Sequence, residues 1–147
     1  HHPVDGTVGL LLDTPSNATV GDLLLRKPDR QLRSLMEKQL LIGGNVLTRD
    51  RLRVLTERCD VPGSREILPG LYQCSPHAAA KLVTVGAAAA VDFDVYAAAC
   101  QWSAELLADE LENAVWLPVA ASAAALRTPS PQPHGLYFGL IEGIGGE

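Results

Sequence analysis

Gln39-Leu40-Leu41-Ile42-Gly43-Gly44-Asn45-Val46 is the stretch that decides the fold of this 147-residue chain. Three apolar residues run directly into two adjacent glycines, and a short apolar run bounded by glycine is typical of a strand. Adjacent glycines indicate either a sharp turn or a close approach between two backbone segments. The sequence therefore predicts a strand at residues 39–42 that stops at Gly43.

Helices are predicted on both sides of this strand. Thr19 is a suitable N-cap for a helix over residues 20–25, with Asp22 three positions later completing a weak capping box. A second helical piece follows at residues 28–36, with a core-facing stripe of Leu32, Leu35 and Met36. Ser75-Pro76 begins a helix that ends at Gly86, and Ser103 caps another over residues 104–112.

The remaining segments favour short strands and loops. Strands are predicted at residues 7–12, 52–55, 91–99 and 115–120, with Trp116 in the core. Loops are predicted at residues 62–70 and 128–133, and a C-terminal helix at residues 135–144. Strands and helices alternate without a regular βαβ repeat, so we expect one α+β domain with a mixed sheet over residues 1–147.

Charge is divided unevenly along the chain, whose formal net charge is −5. Residues 26–65 hold ten basic and five acidic side chains, whereas residues 66–147 hold two and nine. Such asymmetry indicates faces with different partners, or halves that attract each other. Arg26, Lys27, Arg30 and Arg33 fall near helical spacing, which favours a solvated helix face. Only 5% of residues are aromatic, so nucleic-acid binding through stacked bases is not expected.

Membrane and metal signals are weak. The longest apolar run, residues 83–91, is too short to cross a bilayer and contains Gly86, so association with a membrane complex would have to occur through partners. Cys59, Cys74 and Cys100 are widely spaced without a CxxC motif, which argues against zinc and against a disulfide framework. We expect three reduced thiols in a reducing, intracellular compartment.

Several segments occur in the same order as in a known family and cover nearly the whole chain. They are Gly6-Thr7-Val8-Gly9-Leu10-Leu11-Leu12 before Pro15, Ile42-Gly43-Gly44-Asn45-Val46, Glu66-Ile67-Leu68-Pro69-Gly70-Leu71-Tyr72, Trp102 with Leu107 and Glu110, and Val115-Trp116-Leu117-Pro118. Together they resemble the AlgH/YqgE family. The resemblance implies an α+β pseudo-barrel around a bent mixed sheet with flanking helices, of which one or two N-terminal strands are missing here. Family members are usually described as transcriptional regulators without an established reaction.

The departures from the family pattern affect polar positions. A family histidine is Thr56 here, a family arginine is Asp94, and a G-Y-x-G-W motif becomes Ala98-Ala99-Cys100-Gln101-Trp102. The apolar and glycine positions remain, which is the pattern of a scaffold that has lost an ancestral site. We predict no catalytic, cofactor-binding or metal-binding residues, and name Gly43, Gly44, Cys100 and Trp102 as a possible functional region.

Three groups of residues could take part in catalysis or binding, and each also has an ordinary structural interpretation. Cys100 precedes a helix start at Ser103, which could activate a thiol, but a small buried hydrophobic residue is the favoured interpretation. Cys74 and His77 could form a nucleophile and base, but a surface histidine is favoured. Asp92 and Asp94 would share a strand face, either solvated or paired with the basic segment at residues 49–58.

Function is predicted in ranked order. The first hypothesis is a non-catalytic protein-interaction or scaffold module, a subunit of a larger chloroplast assembly, because the Glu66–Tyr72 motif resembles the plant and algal branch of the family. The second is a transcriptional regulator with a basic surface on residues 26–58, which no helix-turn-helix signature supports. The third is a ligand-binding or thiol-dependent protein that uses Cys100.

Overall fold

The structure, a computed structural model, describes residues 6–46 and 52–127. The predicted loop at residues 128–133 and the helix at residues 135–144 lie outside these ranges. The strands are β1 Thr7–Gly9, β2 Pro15–Thr19, β3 Gln39–Ile42, β4 Arg53–Thr56, β5 Arg65–Leu68, β6 Leu71–Cys74, β7 Phe93–Ala97 and β8 Cys100–Trp102. The α-helices are α1 Val20–Arg26, α2 Pro76–Thr84, α3 Ala104–Glu112 and α4 Ala123–Arg127, and two 3-10 helices span Arg30–Leu35 and Ala90–Asp92.

The strands form two sheets. The main sheet has the order β2-β3-β7-β4-β6-β5, in which β3 and β7 run parallel and all other neighbours run antiparallel. Strands β1 and β8 pair antiparallel as a separate ribbon. The predicted α+β class with a mixed sheet and flanking helices is confirmed, and the described strands form no closed barrel.

Side chains that alternate along the central strands divide the core between the two faces of the main sheet. On β4, Val54 belongs to a large cluster that also contains Leu35 and Phe93, whereas its neighbour Leu55 packs with Leu71 in a smaller one. Because successive side chains point to opposite faces of a strand, each central strand contributes to both clusters. The first 3-10 helix and α2 cover the large cluster, and Ala123 of α4 belongs to the small one.

The helix starts are confirmed by their capping contacts. The Asp22 N–H donates to Thr19 Oγ1 at 3.2 Å while the Thr19 N–H donates to Asp22 Oδ2 at 2.8 Å, which is a complete capping box. Ser75 accepts from the Ala78 N–H ahead of α2, and Ser103 accepts from the Leu106 N–H ahead of α3, each at 3.1 Å.

Within the described residues, no helix is long and apolar enough to span a bilayer.

Several regions differ from their sequence-based predictions. Residues 115–120 form no strand and Trp116 is 41% exposed, and none of the strands that the structure describes pairs with this segment. The predicted loop at residues 62–70 instead contains β5 and the turn to β6, in which Gly70 adopts φ +81° and its N–H donates to Glu66. Residues 15–19, for which the sequence predicts no strand, form the edge strand β2.

The basic helical segment differs from its prediction. Its second piece is a 3-10 helix capped by Asp29, whose carboxylate accepts from the Gln31 N–H at 3.0 Å. Leu32 and Leu35 are buried as predicted, but Met36 is 47% exposed because it lies just beyond the last turn. Pro28 separates this piece from α1, so Arg26 and Arg30 lie on different elements and do not share one helix face.

Candidate functional site

The Gly43-Gly44 pair lies where the chain leaving β3 passes against the segment between β7 and β8. The Gly43 N–H donates to the Ala97 carbonyl oxygen at 2.8 Å, and the Gly43 carbonyl oxygen accepts from the Leu11 N–H at 2.7 Å. A Cβ on Gly44 would overlap the backbone of Ala99. Close backbone approach, one of the two alternatives open from sequence, therefore explains the glycine pair.

Cys100 lies beside the glycine pair at the start of β8. Its Sγ is half-buried and lies 3.8 Å from the Gly43 carbonyl oxygen, to which the thiol is a weak donor. The Cys100 backbone nitrogen also lies against the position that a Gly44 Cβ would occupy. The fold thus brings together Gly43, Gly44 and Cys100, three of the four residues named from sequence.

Trp102, the fourth residue, is packed by the two glycines of the first motif. Thr7 pairs with Trp102 and Gly9 with Cys100 in the β1–β8 ribbon. A Cβ on Gly9 would lie 2.9 Å from Cζ3 of the Trp102 ring, and one on Gly6 would overlap the Trp102 carbonyl oxygen. Both glycines are therefore required for β1 to approach β8 around this tryptophan.

A single carboxylate links Trp102 to the exposed segment that follows α3. The Trp102 Nε1–H and the Trp116 Nε1–H both donate to Oε2 of Glu110, at 2.9 Å and 2.6 Å. The two indole rings meet edge to face, with centroids 5.6 Å apart and an angle of 87° between their planes. Glu110 therefore holds residues 113–116 back against α3 and β8.

Replacing Glu110 with alanine is expected to release the Trp116 indole into solvent. Both indole N–H groups lose their charged acceptor, and because Trp116 is already partly exposed, water takes its place at a cost of about 1 kcal/mol in the free energy of unfolding. The chain contains only two tryptophans, so intrinsic fluorescence reports this site alone. We expect a red-shifted emission maximum in the native state.

Glu112→Ala is the matched control, because Glu112 is exposed on the same helix and accepts no indole hydrogen bond among the described contacts. Its emission spectrum should match that of the unmodified protein. Identical spectra for Glu110→Ala and the unmodified protein would show that the carboxylate does not hold Trp116.

The chain is similar to known proteins in sequence and in fold. The sequence profile of the AlgH-like family matches residues 1–147, which is the whole chain. The chain belongs to the AlgH-like family. The solution structure of the AlgH protein from Pseudomonas aeruginosa is similar to it, with a TM-score of 0.73 and 22% sequence identity over 100% of this chain and 76% of that one. No curated protein matches the chain.

Positions at which this AlgH-like chain departs from the family pattern are occupied by groups with structural partners. Thr56 is fully buried, and its hydroxyl donates to the Asp92 carbonyl oxygen at 2.7 Å and accepts from the Arg58 N–H at 3.1 Å. Asp94 accepts from Arg127 Nε at 2.9 Å, which ties α4 to β7. Polar groups at these two positions therefore stabilise contacts between elements of the fold.

Ala98 adopts a backbone conformation that favours glycine. Its φ is +64°, in the left-handed region that costs an alanine about 1 kcal/mol or more. Ala98 is nonetheless nearly buried, and a Cβ on Gly43 would lie 2.5 Å from its carbonyl oxygen. The strained residue therefore belongs to the same backbone crossing as the glycine pair.

Asp92 and Asp94 do not form a paired-carboxylate site. Asp92 ends the second 3-10 helix, and its carboxylate lies 3.4 Å from Arg58 Nη1, whereas Asp94 lies on β7 and pairs with Arg127. The predicted pairing with the basic segment holds for Asp92. The predicted shared strand face is wrong, because Asp92 lies outside the strand.

Cys74 and His77 are directed to separate partners. Burial raises the pKa of the Cys74 thiol to about 11, so it stays protonated near neutral pH. His77 Nε2 lies 2.7 Å from Asp29 Oδ2, and this hydrogen bond with His77 lowers the pKa of the Asp29 carboxyl. The pair connects α2 to the first 3-10 helix, so Nε2 of His77 is engaged by a carboxylate and not by the thiol.

A cleft of about 460 Å³ beside this contact was not anticipated from sequence. Its lining includes Arg53, Arg65, Gln73 and the first turn of α2. Its basic side chains come from β4 and β5, and only the hairpin pairing of β5 with β6 brings them to one place. No group of three or more His, Cys, Asp or Glu side chains that could hold a metal ion occurs in residues 6–46 and 52–127.

Proposed function

We propose that the chain is a non-catalytic protein-interaction module and a subunit of a larger assembly in a chloroplast. One observation carries the proposal: from residue 104 to residue 120 no side chain is buried, although the segment includes a nine-residue helix. Large apolar side chains along it are exposed, and we call them the α3 surface: Leu106, Leu111, Val115, Trp116, Leu117 and Val119.

An exposed apolar cluster of this kind supports binding to another protein. Leu117 is 68% exposed, and the hydrogen bond to Glu110 holds the Trp116 indole in place. Apolar clusters rimmed by polar residues are typical of protein–protein interaction sites. Aromatic side chains such as Trp116 are enriched among residues that dominate binding energy.

The alternative functions receive less support. A DNA-binding regulator needs a continuous basic surface on residues 26–58, but Pro28 interrupts the helical array and Arg58 is paired with Asp60 at 2.6 Å. A thiol-dependent activity of Cys100 needs a cation or a helix N-terminus at the sulfur. The Ser103 hydroxyl caps α3, and the Cys100 sulfur faces the Gly43 carbonyl oxygen. The chloroplast location rests on the Glu66–Tyr72 motif.

The test is native purification of a tagged chain from its own organism, in parallel with the double variant Leu106→Asp, Leu117→Asp. Both positions are exposed, so the variant should fold, and circular dichroism checks this. We expect the unmodified chain to elute with stoichiometric protein partners from isolated chloroplasts and the variant to elute without them. Elution of the unmodified chain as a lone monomer would contradict the proposal.

A further inference from the structure

An acidic stripe runs along α3 beside the exposed apolar side chains. Glu105, Asp109 and Glu112 recur at i, i+4 and i+7, which places them along one side of the helix. All three are exposed. Within the described ranges none of these carboxylates takes part in an ion pair. We call these three residues the acidic ridge.

Positive charge is absent from the sequence on either side of the ridge. No lysine or arginine occurs between Lys81 and Arg127, whereas this interval holds six acidic residues. Arg127 is directed away to Asp94 and Glu57, at 2.9 Å and 3.5 Å. The ridge therefore presents negative charge that the described part of the chain does not compensate.

We infer that the α3 surface and the acidic ridge together bind a basic amphipathic helix of a partner protein. This inference rests on the proposed interaction function and specifies the chemistry of the partner. Leu106 neighbours the ridge residues Glu105 and Asp109 on α3, and Leu117 and Val119, which follow the helix end, are exposed as well. A partner helix with one apolar stripe and an adjacent row of Lys or Arg matches both features.

Charge excludes other occupants. Three unpaired carboxylates repel nucleic-acid phosphates and anionic lipid headgroups. In a second copy of this chain, Arg26, Arg30 and Arg33 share helical spacing in sequence but are divided between α1 and a 3-10 helix. They do not form the straight basic row that the acidic ridge requires.

The test uses two synthetic amphipathic peptides of about 18 residues, long enough to become helical on binding. One contains leucine and lysine, and its matched counterpart contains leucine and glutamate in the same pattern. Binding to the full chain is followed by tryptophan emission, and NMR chemical-shift mapping locates the contact. We expect the Leu/Lys peptide to bind at the α3 surface and the Leu/Glu peptide not to bind.

Two variants and one control make the result specific. The triple variant Glu105→Lys, Asp109→Lys, Glu112→Lys should bind the Leu/Lys peptide about tenfold more weakly, which is the combined effect of losing three exposed ion pairs. The same variant should bind the Leu/Glu peptide more tightly than the unmodified chain does. The double variant Leu106→Asp, Leu117→Asp should abolish binding of the Leu/Lys peptide. Leu25→Asp is the control, because Leu25 is 83% exposed on α1, away from this surface, and it should leave binding unchanged.

Several results would overturn the inference. The two peptides could bind equally well, or the charge-reversal variant could bind the Leu/Lys peptide as the unmodified chain does. The chemical-shift changes could map to another face of the protein, or neither peptide could bind. If sedimentation shows a dimer that dissociates when Leu106 is replaced with Asp, the α3 surface binds a second copy of the chain. If NMR shows contacts between the α3 surface and residues 128–147, the surface is covered by the chain itself. If native partners co-purify but neither peptide binds, the interaction function stands and only the basic-helix chemistry is wrong.

Discussion

Replacing Gly44 with alanine is expected to destabilise the fold severely. The added methyl group would overlap the carbonyl of Ala99 and the backbone nitrogen of Cys100, and backbone atoms of a paired strand cannot move aside as a flexible side chain can. Separating β3 from the β7–β8 segment also disturbs the Val46–Ala99 bridge, whose two hydrogen bonds are 2.9 Å and 3.0 Å long. We expect the free energy of unfolding to fall by about 3 kcal/mol, measured by urea denaturation.

Gly63→Ala separates steric overlap from the general effect of removing a glycine. Gly63 adopts φ +74°, but no atom lies within 4 Å of the position that its Cβ would take. Only the conformational strain remains, which is about 1 kcal/mol. Equal stability losses for the two variants would show that β3 and β8 are not held together by close backbone contact at Gly44.

Replacing Phe93 with alanine is expected to have the second large effect. Phe93 is fully buried at the start of β7, in the large core cluster and opposite Thr56 of β4. Loss of the ring leaves a cavity between the sheet and the helices that cover it. We expect the free energy of unfolding to fall by about 3–5 kcal/mol, which thermal or urea denaturation would detect as a lower midpoint.

Leu111→Ala provides the contrast on the α3 surface. Leu111 is also apolar, but it is 43% exposed on α3, so its truncation should change stability by no more than about 0.5 kcal/mol. The same change should weaken partner binding. A loss of unfolding free energy as large as that of Phe93→Ala would show that Leu111 belongs to the core. Leu111 would then no longer support a docking surface on α3.

Local signals in the sequence were sufficient for several elements. The strand at residues 39–42 and the helix at residues 104–112 have their predicted bounds, because a glycine pair ends the first and Ser103 begins the second. Thr19 and Asp22 form the predicted capping box. Each of these signals acts between residues a few positions apart, so it does not depend on the rest of the fold.

The candidate region was partly predictable. The sequence indicates a possible functional region of four residues, Gly43, Gly44, Cys100 and Trp102. In the structure the glycine pair lies against Cys100, and Trp102 packs on Gly9. The link from Glu110 to Trp116 was not predicted, since it crosses the end of α3, where helical periodicity stops. Trp116 was assigned to the core because its apolar neighbours resemble a strand.

The sequence by itself determined the family, the α+β class and the main local boundaries, because motif order, apolar periodicity and capping residues are properties of the chain alone. Only the tertiary structure decided which apolar segments are buried. Residues 115–120 have the composition of a strand, but β-strands are stabilised by hydrogen bonds to a neighbour, and no strand in the described ranges pairs with this segment. Burial and strand pairing depend on distant parts of the chain, and for that reason the exposed α3 surface emerged only from the fold.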